Sequence, residues 1–268
     1  MNYKITTLTD NVVYGRKLQA EHGLSISIQT DQHHILFDTG QSDLFIRNAE
    51  QLHIDLSTVD YLILSHGHSD HTGGLRHFLN FNSKAKVICK REVLNRKFKD
   101  RRENGILYGH ELDLSRFVFI TEQTELIPGV HLFPSLPLFN EADTHFDHFF
   151  TETKAGLIPD CFEDELAIAL LSDEKYSVIS ACSHRGITNI LQTIRQTFPN
   201  HNCQLLLGGF HIHNAEKDKF QTIADFLKQN VVEQIGICHC TGVDKYALFL
   251  QEFGEKVFYN YAGTSFFL

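Results

Sequence analysis

The chain is predicted to be an α/β protein in which two central sheets carry helices on their outer faces. Three observations predict it. The first part of the chain holds short apolar runs bounded by turn residues, and helix and strand patterns alternate after His184. Hydrophobic residues make up 42% of 268, which is sufficient for a substantial core.

Residues 3–8, Ser25–Gln29 and His34–Phe37 read as an antiparallel β meander, and a helix is expected from Ser42, a suitable N-cap. Residues 59–64 read as a buried strand, 71–79 as a helix and Lys86–Cys89 as a strand. The charged stretch 90–103 reads as an exposed helix plus loop, with the run Lys97-Phe98-Lys99-Asp100-Arg101-Arg102 on a solvated face. Residues 118–138 and 166–181 contain further strands, separated by turns at Pro128-Gly129, Pro134 and Ser172-Asp173-Glu174. Helices are then expected over 187–198, 216–229 and Val243–Phe253, with strands over 203–207 and 234–238, and 256–259 and 265–268 closing an edge. A single domain over 1–268 is expected, elaborated over about 84–160. That region holds His145-Phe146-Asp147-His148-Phe149-Phe150, which suits a buried patch or a substrate wall equally.

A formal charge of −9 and a pI near 6.0 argue against a generic nucleic-acid binder. The start Met1-Asn2-Tyr3-Lys4-Ile5 lacks the pattern of a secretory signal, and no apolar run approaches the roughly 18 residues of a membrane span. A cytoplasmic location without membrane contact is therefore expected. The six cysteines form no regular framework and read as reduced; Cys238 and Cys240, flanking His239, read as packing residues at a strand end.

The chemistry is concentrated in Ser65-His66-Gly67-His68-Ser69-Asp70-His71, directly after the apolar run Tyr61-Leu62-Ile63-Leu64. Three histidines and an aspartate within six positions exceed what core packing calls for. Alternate residues of an extended chain share a face, so His66 and His68 point the same way if strand geometry continues. Neutral imidazole nitrogen with one hard carboxylate oxygen suits zinc, iron or manganese better than calcium or magnesium. Gly67 permits an unusual backbone angle, while Gly73 and Gly74 allow the next helix to pack closely.

Together with Phe37-Asp38-Thr39-Gly40, this His-x-His-x-Asp-His run resembles the metallo-β-lactamase superfamily. The segments Glu21-His22-Gly23-Leu24-Ser25, Ala181-Cys182-Ser183-His184-Arg185-Gly186-Ile187, Gly208-Gly209-Phe210-His211 and Cys238-His239-Cys240-Thr241-Gly242 extend the resemblance over nearly the whole chain. They are similar to one branch, which includes the archaeal dihydropterin-methyl-aminobenzene ribofuranosyl phosphate synthases. The resemblance implies an αββα sandwich and one or two divalent metal ions, with zinc expected and iron or manganese as alternatives. It implies ligands at His66, His68, Asp70, His71, His184 and His239.

The pattern departs from the superfamily at two points. A histidine, His184, follows the strand where an aspartate usually bridges the metals, so water or hydroxide is the expected bridge. The usual third histidine before Leu166 is replaced by Asp160-Cys161-Phe162-Glu163-Asp164-Glu165, from which one carboxylate could complete the set, although each member by itself reads as part of an acidic loop in water. Asp38 is expected to accept the second ring N–H of a ligand histidine. Glu21 and His22 are candidates to approach the site. Asp70 is expected to orient the attacking water, His184 and His211 to serve catalysis, and Arg185 to contact an anionic substrate; His213 is expected to be exposed. The leading expectation is hydrolysis of a small anionic substrate, phosphorylated or an ester, by metal-bound hydroxide. Condensation of a pterin diphosphate with an aminobenzene ribofuranosyl phosphate is the second, and a sensor without turnover the third.

Overall fold

The computed structural model describes residues 2–107, 109–213 and 217–268. It resolves into two units. One comprises Asn2–Thr121, Phe146–Asp164 and Tyr261–Leu268, and the other Glu122–His145 and Glu165–Asn260.

In the first unit, strands β1 (Lys4–Thr9), β2 (Ser25–Gln29) and β3 (His34–Phe37) form the expected antiparallel meander. Strands β4 (Tyr61–Ile63), β5 (Lys86–Cys89) and β8 (Phe117–Phe119) then add in parallel, and β18 (Ser265–Phe267) pairs with β1, giving the order β18-β1-β2-β3-β4-β5-β8. Helices α1 (Leu44–Gln51), α2 (Ser69–Thr72) and α3 (Leu75–Phe81) belong to this unit, and its core includes Leu36, Phe45, Leu62, Leu75, Phe78 and Val87. A smaller sheet runs β12-β11-β6-β7, from β6 (Lys97–Lys99), β7 (Arg102–Glu103), β11 (Phe149–Thr153) and β12 (Gly156–Pro159).

The second unit is a sheet of order β17-β16-β15-β14-β13-β10-β9. Strands β9 (Thr124–Ile127), β10 (Val130–Phe133), β13 (Ala167–Ser172) and β14 (Lys175–Ser180) are antiparallel. Strands β15 (Asn202–Gly208), β16 (Val232–Ile237) and β17 (Val257–Tyr259) continue it in parallel. The connections are α4 (Ile187–Thr197), α5 (described from Lys217 to Gln229) and α6 (Val243–Phe253). The predicted start of α5 at Glu216 lies outside the described residues. Ile190, Leu206, Ile223, Ile235 and Phe249 are among the buried residues that make this unit's core.

Parallel strands place their ends in register, and both units use that edge. Asp38 and the His66 loop follow β3 and β4; Cys182, His211 and His239 follow β14, β15 and β16, whose last residues pair as Ser180 with Gly208 and Gly208 with Ile237. Binding residues at the carboxyl ends of parallel strands are the general rule for α/β sheets.

Three expectations are corrected. The first helix starts at Leu44 with Asp43 rather than Ser42 at the cap position, although the Ser42 hydroxyl accepts the Leu44 N–H at 3.1 Å while it donates to the Glu21 carboxylate. The helix expected over 71–79 is interrupted at Gly73-Gly74. There a Cβ on Gly73 would lie 2.2 Å from the Gln41 carbonyl, and one on Gly74 2.3 Å from that of Thr39. The stretch 90–103 is a short 3-10 turn (Arg91–Leu94) followed by β6 and β7, and Lys97 is buried in an ion cluster rather than solvated. Among the described residues, no helix is long and apolar enough to cross a membrane.

His34 carries a pH dependence of the fold itself. Its ring is buried between the Ser27 hydroxyl (2.8 Å) and the Thr58 hydroxyl (2.8 Å), and burial lowers its pKa to about 4. The unfolded chain therefore takes up the proton first, near 6.5. Stability is intact above that value, drains as pH falls through it, and stops draining below about 4. Linkage gives a loss of about 2 kcal/mol between pH 7 and 5 from this group. Urea unfolding of wild type and His34→Gln across that range should show a shallower acid slope in the variant; equal slopes would remove His34 from the account.

Candidate metal centre

In the first unit, His66 and His68 each offer a ring nitrogen within 4.8 Å of the other's, and Asp70 and His71 do the same. His66 and His71 are fully buried and His68 nearly so, while the Asp70 side chain keeps 16% exposure. Burial favours the neutral imidazole, the form that binds metal: it holds His66 well below its ordinary range and His68 at about 3.

Asp38 sets the tautomers. Its Oδ2 accepts from His71 Nδ1 at 2.8 Å and from the Ser65 hydroxyl at 2.6 Å, while Oδ1 accepts the Ser65 N–H. The Ser65 hydroxyl has one proton and spends it on Asp38, so its contact with His66 Nδ1 at 2.9 Å requires that nitrogen to donate. Both rings thus carry their proton on Nδ1 and present the Nε2 lone pair. Burial raises the Asp38 carboxyl, and His71 and Ser65 oppose that shift. Asp38 does not cap α1. It accepts a histidine ring N–H, that of His71, and Ser65, which sequence reasoning overlooked, extends the contact to a second histidine.

His22 stands at Asp70, with Nε2 3.2 Å from Oδ2. Glu21 does not join it among the contacts described, because its carboxylate accepts from Gln41 N, Ser42 N and the Ser42 hydroxyl and so braces the loop after Gly40. The His68 ring is walled by Phe149 and Phe162, with centroids 5.0 and 5.2 Å away. Phe149 comes from the aromatic cluster noted in the sequence; Phe162 was masked there by its acidic neighbours.

Within the acidic segment Cys161 and Glu163 are exposed, as a solvated loop would have them, but Asp160 and Asp164 are turned to groups of the chain itself. Asp160 and Asp164 are buried and grip the Lys97 ammonium at 2.6 and 2.9 Å, and Asp164 also accepts the Gly67 N–H at 2.7 Å. It thereby holds the loop between His66 and His68. In the second unit Glu165, 1% exposed, accepts the N–H groups of His184 and Arg185, both at 2.7 Å.

The second unit gathers Cys182, His184 and His211, whose ligand atoms all lie within 4.8 Å of one another; Cys182 is likewise within that distance of His239. The His184 and His211 rings are 4.1 Å apart. His184 Nδ1 faces the His145 carbonyl at 3.2 Å, which can only accept, so His184 also presents Nε2. Arg185 directs its Nε–H to the Leu136 carbonyl. His213 is exposed, as expected, and pairs with Asp244. Cys182 was missed, although Cys-x-His at a strand end is a legible ligand spacing.

Backbone strain marks the same positions. Asp38 (φ 58°), Ser183 (φ 53°), His211 (φ 50°) and His239 (φ 49°) all lie in the left-handed region without being glycine. Such conformations persist where the surrounding structure over-determines them, commonly at functional sites.

Comparison with known proteins places this geometry in context. Residues 19–150 match the model of the metallo-beta-lactamase superfamily. The chain is 33% identical to Tm1679, a metal-dependent hydrolase of the beta-lactamase superfamily, over 98% of each chain, with a TM-score of 0.87. It is 26% identical over 282 residues, 98% of this chain and 95% of the relative, to the 7,8-dihydropterin-6-methyl-4-(beta-D-ribofuranosyl)-aminobenzene-5'-phosphate synthase of Methanocaldococcus jannaschii. The fold is shared with the metallo-beta-lactamase fold protein YhfI from Bacillus subtilis, at 13% identity, full coverage of both chains and a TM-score of 0.63.

Proposed function

The chain belongs to the metallo-beta-lactamase superfamily, and from that premise we propose that it is a metal-dependent hydrolase of a small anionic substrate, phosphorylated or an ester. The observation that carries the metal is the Asp38–Ser65 relay, which commits two buried histidines to a single ligand-ready tautomer. The donor set fits a divalent transition ion, zinc first, with iron and manganese as alternatives. His66, His68, Asp70, His71, His184 and His239 are the proposed ligands, for one or two ions. A bound ion supplies Lewis acidity towards water and towards an anionic leaving group.

The chain's own residues do the rest. Asp70, the least buried of the ligand cluster, accepts a hydrogen bond from water and turns it towards substrate. The His22 ring beside it limits how that carboxylate can rotate. The Phe149 and Phe162 rings exclude water from the His68 side. Arg185, held by Glu165 through its backbone, is the proposed contact for the substrate's anionic group.

The near full-length match to a synthase favours a second reading, condensation of a pterin diphosphate with an aminobenzene ribofuranosyl phosphate. One assay separates the two. Zinc-loaded protein is offered a phosphodiester, a carboxylic ester, and the two condensation substrates singly and together. Hydrolysis of either ester supports the first reading; pyrophosphate released only when both condensation substrates are present supports the second. Retained metal with no turnover of any of them would favour a sensor.

A further inference from the structure

We propose that the Cys182 thiolate bridges two metal ions, in the role for which related sites use a carboxylate. The inference rests on the metal-dependent reading above and adds to it the identity of the bridging atom. Within the second unit, the Cys182 sulfur lies within 4.8 Å of ligand atoms of His184 and His211, and also within 4.8 Å of that of His239. Around one tetrahedral ion, a thiolate at about 2.3 Å and an imidazole at about 2.1 Å stand roughly 3.6 Å apart. A spacing within 4.8 Å exceeds that by at most about 1.2 Å.

His184 cannot do this work. Its Nδ1 proton is directed to the His145 carbonyl, which leaves one nitrogen for one ion. A thiolate sulfur has several lone pairs and is polarisable, so it can donate to two cations at once. Cys182 is 2% exposed, and its neighbour Ser183 adopts φ 53° with its hydroxyl tied to the Gly209 carbonyl at 2.8 Å. That strained step lets Cys182 and His184 be presented from one turn. His211, expected from the sequence to serve catalysis, becomes a ligand with them, its ring 4.1 Å from that of His184. On coordination the thiol loses its proton to solvent.

Cadmium, which retains thiolate affinity and is observable by NMR, tests the bridge without reference to turnover. Full-length protein carrying two equivalents of cadmium should give two cadmium resonances, both displaced downfield by sulfur. Cys182→Asp should keep two ions while both resonances lose that displacement, and Cys240→Ser should leave the spectrum unchanged. A wild-type spectrum in which only one resonance is displaced makes Cys182 a terminal ligand and overturns the bridge. Neither displaced makes it a core residue. Protein that binds no cadmium, zinc or cobalt overturns the metal reading, and the bridge with it.

Discussion

His68→Ala, assayed in metal-replete and folded protein, is expected to reduce turnover by about three orders of magnitude. A metal's Lewis acidity is worth several kcal/mol of transition-state stabilisation, and each ~1.4 kcal/mol is tenfold in rate. The His68 ring is buried against Phe149 and Phe162, held neutral with a pKa of about 3, and placed beside His66 at 4.7 Å between centroids. Truncation leaves a cavity walled by aromatic carbon, which offers no replacement donor. Elemental analysis should show lower metal occupancy, and prolonged chelation of the wild type should reproduce the loss. His213→Ala, at an exposed residue paired with Asp244, should change neither. Unchanged turnover in His68→Ala would remove the catalytic metal from the account.

Lys97→Met is expected to destabilise the fold by about 3–5 kcal/mol, the range for removing one partner from a buried ion cluster. Burial pulls the Lys97 ammonium down in pKa, but Asp164 and Asp160 more than offset it, so the group stays charged. Methionine fills a similar volume while leaving two carboxylates buried without their cation. Asp160 already has its pKa raised by burial and would go further in that direction. Asp160→Asn should cost less, because it leaves Lys97 and Asp164 as a matched pair that still holds the Gly67 N–H. Urea unfolding of metal-free protein is the appropriate measurement, since bound metal would stabilise the native state by mass action. A Lys97→Met variant no less stable than Asp160→Asn would show that the cluster contributes nothing specific.

Lys97 also shows why part of the site was illegible. Its neighbours Lys99 and Arg101 are solvent-facing, and a basic run is ordinarily a solvated surface. Nothing local distinguishes the one lysine that meets two aspartates 63 and 67 residues away. The same applies to Asp164, whose contact with Gly67 spans 97 positions. The strands of the two larger sheets and α6 were easier, because alternation and helical periodicity are written over consecutive residues; α6 runs Val243–Phe253 as expected.

What the sequence by itself determined is the chemistry concentrated in a few adjacent residues: the His-x-His-x-Asp-His run, the α/β order of elements and the family they belong to. Donor type and spacing are local properties, so they survive being read in one dimension. Tertiary structure alone decided which groups support those donors. It assigned Asp160 and Asp164 to a lysine, Glu165 to two backbone N–H groups, Ser65 to hydrogen bonds with Asp38 and the His66 ring, and Cys182 to a place near His184, His211 and His239. These roles depend on buried polar groups finding partners across long sequence separations, and burial makes an unmet partner costly enough to fix the arrangement.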